Sequence, residues 1–194
     1  PKATISFAFP EVQDHFLRIV EELISYGVDG VLIDFLRTPP TVLFPDPLMK
    51  EFRRRYNKDP RSLPPEDPRI LDMQAGVITG LLRRIRRLLR RRDPGLQLHV
   101  RIDSLSRRRG LDPSTWVRRG LVDAVIVEHT QSMDPDEPPA LQALVELCRG
   151  TACRAIAGFY RPYWGPDHDR PIHEAVAREK SEKYFAMGAD GVSF

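Results

Sequence analysis

The sequence predicts an α/β protein of repeated βα units arranged around a parallel sheet. The first observation behind that prediction is a recurring phrase: Gly27-Val28-Asp29-Gly30-Val31, then Gly120-Leu121-Val122-Asp123-Ala124-Val125, then Gly188-Ala189-Asp190-Gly191-Val192. In each, a glycine closes a helical stretch with the left-handed conformation that other residues rarely adopt, and a strand rich in β-branched residues follows. The second is that apolar runs alternate with amphipathic stretches of helical period, the order expected of strands covered on both faces by helices. The third is that charged residues cluster at the ends of those runs, the end at which βα-repeat enzymes build their sites.

The first unit pairs a short β-rich run, Ala3 to Phe9, with a helix from Glu11 to Tyr26, in which Val12, Phe16, Ile19, Val20, Leu23 and Ile24 recur at helical spacing. Val31 to Leu36 is the second strand, an apolar run broken by Asp34 and ended by Arg37 before Thr38-Pro39-Pro40. A proline-rich connection then runs to Asp67 and holds a short helix from about Pro47 to Tyr56. It is far longer than usual for such loops, and long loops of this kind tend to carry function. Ile70 to Arg92 is a long helix with Met73, Val77, Leu81, Leu82, Ile85, Leu88 and Leu89 on one face and arginines on the other.

Leu96 to Ile102 is the third strand, setting His99, Arg101 and Asp103 on one side and Leu98, Val100 and Ile102 on the other. Asp112 caps a short helix that has Pro113 at its first position and runs to Arg119. Ala124 to Val127 is the fourth strand and delivers Glu128 and His129; a helix follows from Pro139 to Cys148. Arg154 to Phe159 is the fifth strand, delivering Tyr160, Arg161, Tyr163 and Trp164 into a loop. Ile172 to Met187 is the closing helix, and a sixth strand begins at Gly191.

With 194 residues and 41% apolar content, the chain fits one domain over residues 1–194. A complete (β/α)8 TIM barrel takes ~250 residues, and this sequence opens at Pro1 and stops at Phe194 within a strand signal. The expected architecture is therefore an incomplete barrel of about six βα units, lacking its N-terminal strands, from a longer catalytic domain. No run approaches the ~20 apolar residues of a membrane span, and no basic-then-apolar leader precedes Pro1. The compartment stays open, secretion or a periplasmic location included. Cys148 and Cys153 match neither a zinc spacing nor a disulfide framework and read as buried thiols. The formal charge of +3 names no partner.

Asp34, Asp103, Glu128 and Tyr160 all fall at or just past strand C-termini. Acids in apolar strands are costly to bury unless paired or solvated, so their agreement across four units points to a shared site. Two carboxylates in different environments can divide acid and base roles, and glycoside hydrolysis uses such a pair. Asp34 and Glu128 are the first pair, with Asp103 as the alternate. Arg37 and Arg101 supply charge or contact sugar hydroxyls, and His129 orients Glu128 or binds a hydroxyl. Tyr160 and Trp164 form a stacking platform beside Arg161. The plainer readings stand beside these: strand-end ion pairs for Asp34 with Arg37 and Arg101 with Asp103, an ordinary rim histidine, and aromatic loop packing.

The histidines lack the paired spacing of a helical zinc site, so neither a metal nor another cofactor is expected. The arginine-rich run from Leu82 to Arg92 keeps its Leu and Ile residues on one face, and no aromatic residues interleave with the arginines. It reads as a solvated outer helix ahead of a nucleic-acid patch.

The run PEVQDHFLRIVEELISYGVDGVLIDFLRTPP, the FRRRYNKDPR segment and GLDPSTWVRRGLVDAVIVEHT together resemble the family-10-like glycosylhydrolases, a group of TIM-barrel proteins. In that group a helix opening PEVRD leads to DGI-x-LDF-x-R, and a later GLD-x-x-x-W-x-x-x-GLVD leads to a strand. The matching positions here are Pro10 to Asp14, Asp29 to Arg37 and Gly110 to Asp123. The resemblance covers nearly the whole chain and implies a barrel hydrolase acting on poly- or oligosaccharides, with Asp34, Arg37 and the strand-end position of Glu128 carried over. It fixes neither sugar nor linkage. The rivals are a non-catalytic glycan-binding or scaffold barrel, and a nucleic-acid-associated protein using the arginine helix.

Overall fold

The computed structural model describes residues 6–36, 42, 44–103, 105, 110–128, 141–159 and 174–193. The chain divides into two compact units: Pro1–Val31, Thr38–Leu98 and Ser106–Trp116 make up the first, and Leu32–Arg37, His99–Leu105 and Val117–Phe194 the second.

The first unit is built on two long helices. In α1 (Pro10–Ser25) the opening proline has no N–H to leave unsatisfied, and Gly27, at φ 78°, turns the chain out of the helix. Only Val20 and Ile24 of its apolar residues are fully buried, while Ile19 and Leu23 stay exposed. Residues 6–9, expected at the end of a first strand, instead form a turn in which Phe9 N–H donates to Ser6 O at 3.3 Å. The Phe9 carbonyl is taken by the first N–H groups of α1, and Gln13 Nε2 donates back to Phe7 O at 2.7 Å, so the helix claims this segment. Residues 3–5 lie outside the described residues.

Helix α2 (Asp46–Tyr56) ends at Asn57 in the left-handed conformation. A 3₁₀ turn at Pro60–Ser62 follows, and then α3 (Pro68–Arg92), capped by Asp67. The buried stripe of α3 runs through Ile70, Met73, Ile78, Leu81, Leu82, Ile85 and Leu89, with Val77 and Leu88 only half-buried. Polar side chains within that stripe have partners: Gln74 Nε2 donates to Val42 O at 2.6 Å, and Thr79 Oγ1 accepts from the fully buried Trp116 indole at 2.9 Å. The expected split into an apolar face and an arginine face holds only in part: Arg83, Arg87, Arg90, Arg91 and Arg92 are exposed, but Arg84 pairs with Asp14 and Gln13 of α1, and Arg86 is buried within the stripe at 5% exposure.

The sheet has five strands in chain order: β1 (Gly30–Asp34), β2 (Gln97–Ile102), β3 (Ala124–Val127), β4 (Arg154–Gly158) and β5 (Gly191–Ser193). They run parallel, with His99 beside Ala124, Ala124 beside Arg154, and Ile156 beside Gly191. The connecting helices are α4 (Pro113–Arg118), α5 (Leu141–Cys148) and α6 (Glu174–Ala186). Each of the three recurrent glycines, Gly27, Gly120 and Gly188, has positive φ, as a left-handed helix terminus requires.

In the second unit the two sheet faces differ chemically. One carries Val100, Ile102, Val125, Val127, Ala155 and Ala157, all buried; Ala157 and Phe159 pack there with Leu141 of α5, Tyr184 of α6 and Ala189. The other carries Asp34, His99, Arg101, Arg154 and Ser193 among small or aliphatic residues. This second face is curled inward. Arg101 Nη2 on β2 lies 3.4 Å from Ser193 Oγ on β5, three strands away. In a flat sheet those strands would stand ~14 Å apart, too far for one side chain to span sideways. The curl carries the parallel strands' C-terminal ends toward a common centre.

Candidate functional site

Arg101 occupies that centre. Its strand places it on the polar face, between the buried Val100 and Ile102, and its guanidinium extends toward the strand ends. Asp34 is the last residue of β1; Phe35 N–H donates to Arg101 O at 2.9 Å, which fixes β1 and β2 in register and sets Asp34 beside Arg101. Asp34 Oδ1 accepts the Leu36 N–H at 2.8 Å in an Asx turn, which ends the strand here rather than at Leu36. Its Oδ2 lies 3.7 Å from Arg101 Nη1.

Glu128 follows β3, its N–H donating to Ile102 O at 2.9 Å, and its Oε2 lies 3.6 Å from Arg101 Nε. The two carboxylates thus approach opposite parts of one guanidinium, and its width and the two distances hold them within about 10 Å of each other. Both contacts are longer than a direct hydrogen bond, which leaves the guanidinium only loosely engaged. Their environments differ: the Asp34 side chain is 48% exposed and that of Glu128 15%. That is the asymmetry expected of two acids with separate tasks.

Gly158, at the end of β4, is what lets Glu128 lie where it does. The β3–β4 register, carried one residue on, sets Gly158 beside Glu128. A Cβ on Gly158 would stand 2.6 Å from Glu128 Cβ and 2.9 Å from Oε2. The glutamate side chain therefore lies across a strand that has no side chain at that point. Below this level on the same face, Arg154 Nη2 sits 3.4 Å from His99 Nε2, across the small Ala124.

Of the residues expected at the site, Asp34, Arg101 and Glu128 come together. Asp103 directly follows β2 and is buried at 9% exposure. Arg37, His129, Tyr160, Arg161 and Trp164 lie outside the described residues. The sequence reading missed Gly158 and Ser193. Gly158 left a faint signal, a glycine ending an otherwise ordinary strand at the level of the fourth strand's glutamate. Ser193 left none, because its part depends on curvature. Among the described residues no group of three or more His, Cys, Asp or Glu side chains is gathered to hold a metal ion.

No protein-family model matches this chain, and no curated protein matches it.

Proposed function

We propose that the chain forms part of a (β/α)8 barrel of the family-10-like glycosylhydrolase kind and takes part in hydrolysing glycosidic bonds at the strand C-terminal face. One observation carries the reading: Asp34 and Glu128 flank Arg101 at the C-terminal ends of parallel strands, on the inward-curled face. A range of up to about 10 Å takes in both the ~5–5.5 Å separation of a retaining pair and the ~6.5–9.5 Å separation of an inverting one. The less exposed Glu128 is the better proton donor to a leaving oxygen, and the solvated Asp34 the better base or nucleophile. Arg101 offsets charge between them and presents donors to sugar hydroxyls. Arg37, His129, Tyr160, Arg161 and Trp164 would line the same mouth, with the aromatics stacking on the sugar face.

The resemblance in the PEVQD, DGVLIDFLR and GLDPSTWVRRGLVD segments supports the same fold and class. Within the arginine run of α3, Arg84 is held by α1 and Arg86 is buried, while Arg83, Arg87, Arg90, Arg91 and Arg92 are exposed, a pattern that an outer barrel helix accommodates. One observation favours a second reading. Both carboxylates face the same cation, an arrangement that suits a site that grips a glycan without cleaving it.

Hydrolysis of a glycan panel by the parent protein, with Asp34→Asn and Glu128→Gln, separates the two. Catalysis predicts turnover lost in each variant, with circular dichroism unchanged and glycan binding retained. Normal turnover in both variants discards the assignment. Binding without turnover in the wild type selects the second reading.

A further inference from the structure

Each nitrogen of the Arg101 guanidinium faces a different strand. Nε lies 3.6 Å from Glu128 Oε2 beyond β3, Nη1 3.7 Å from Asp34 Oδ2 at the end of β1, and Nη2 3.4 Å from Ser193 Oγ on β5. Only the third is a hydrogen bond, a long one that the neutral hydroxyl accepts. Nε is shielded from solvent and makes no hydrogen bond among the described residues, although a carboxylate stands before it. A guanidinium and a carboxylate this close would ordinarily shorten to about 2.7–2.9 Å. The strand register shows how Ser193 prevents that. Arg101 stands in a row with Ile126, Ile156 and Gly191, while Gly158 and Ser193 form the row two residues nearer the strand ends. The arginine head reaches toward that higher row, and on β4 no side chain rises from Gly158 to obstruct the path to β5. The Ser193 backbone is itself pinned, since its carbonyl accepts the Phe159 N–H at 2.8 Å.

We infer that Ser193 is a positioning residue, whose hydroxyl holds the Arg101 guanidinium between Asp34 and Glu128 so that neither acid is drawn into a direct ion pair. The consequence for catalysis rests on the proposed reading of those two residues as the working acids. The carboxylates pull the cation from two of its three corners. Where such pulls nearly cancel, one hydrogen bond at the remaining corner decides where the group rests. Without it the guanidinium moves to Glu128. That side chain is 15% exposed against 48% for Asp34, so the attraction is less screened there, and Asp34 Oδ1 is already engaged by the Leu36 N–H. Glu128 would then be fixed in a charge-assisted pair and would no longer serve as proton donor to a leaving oxygen.

The test compares Ser193→Ala and Ser193→Thr in the folded full chain by proton–nitrogen correlation spectra of the arginine Nε–H groups, with the Arg101 signal identified by its loss in Arg101→Lys. Ser193→Ala should move that proton downfield as its bond to Glu128 forms, and adding Glu128→Gln should abolish the move. Ser193→Thr keeps the hydroxyl and should leave the signal at its wild-type position. With a glycan that the parent protein hydrolyses, Ser193→Ala should lower kcat on the order of tenfold to a hundredfold at little-changed KM, and Ser193→Thr should restore it. An Arg101 signal unmoved by Ser193→Ala, or moved equally by Ser193→Thr, overturns the inference. The downfield move in a protein that turns over no glycan upholds the role of Ser193 and sinks the catalytic reading instead.

Discussion

The same substitution, glycine to alanine, should have opposite effects at two positions of this chain. At Gly158 an added Cβ meets Glu128 Cβ at 2.6 Å, Oε2 at 2.9 Å and Cγ at 3.0 Å. The carboxylate could swing aside, but Glu128 Cβ is fixed to its backbone, so β3 and β4 must shift. Overpacking of this kind costs ~1–3 kcal/mol, and the stiffer unfolded chain returns ~0.4–1 kcal/mol. Gly158→Ala should therefore destabilise by about 1–2 kcal/mol. At Gly80, inside α3, an added Cβ meets nothing within 4 Å. There alanine brings only its better helix propensity, ~0.8–1 kcal/mol of stabilisation. For a chain of this length each kcal/mol moves Tm by roughly 2–4 °C, so the two variants should lie on opposite sides of the wild type. Urea unfolding followed by far-ultraviolet circular dichroism measures both as shifts in midpoint at unchanged slope. Removing the obstructing side chain completes the test: in a Glu128→Gly background, Gly158→Ala should lose most of its penalty. A Gly158→Ala protein as stable as wild type, or a penalty that persists without the glutamate side chain, refutes the packing argument.

Three other outcomes follow from the first unit and the α4 cap. Thr79→Val keeps the shape of the side chain but leaves the buried Trp116 indole N–H without its acceptor, and should cost ~1–3 kcal/mol in urea unfolding, whereas Thr79→Ser should stay close to wild type. Asp112 accepts the Thr115 N–H at 3.0 Å and its hydroxyl at 2.7 Å, so Asp112→Ala should cost ~0.5–2 kcal/mol by the same measurement. The Arg69 guanidinium beside Asp67 holds that carboxyl down at about 2, below its ordinary 3.8. A depressed folded value contributes stability above the unfolded value and loses it as pH falls through the folded one. Thermal scans should therefore show a loss between about pH 4 and pH 2 that is smaller in Asp67→Asn; equal losses in both proteins would contradict this.

The sequence revealed the parts of the fold that obey local rules. The glycine at each helix end, the 3.6-residue stripe of α3 and the alternation in β2 each follow from the geometry of a single element, and each is found where expected. Asp34 and Glu128 were legible for the same reason, since a charged residue closing an apolar strand needs no partner to be noticed. Residues 6–9 were misread because composition favours a strand there, while the Phe9 carbonyl and the Gln13 side chain commit them to the helix. Ser193 was invisible because its proximity to Arg101 comes from curvature accumulated over three strands. The exposed Ile19 and Leu23 show the limit of periodicity, which marks an apolar stripe without saying how much of it finds a neighbour.

Glu128 owes its position to a residue thirty places further along that contributes only a bare backbone. Exchanging charged and polar side chains one at a time would never find that dependence, because Gly158 offers nothing to delete. Anyone grafting this acid onto another βα scaffold would need to transplant the adjacent gap with it, or the carboxylate would point somewhere else.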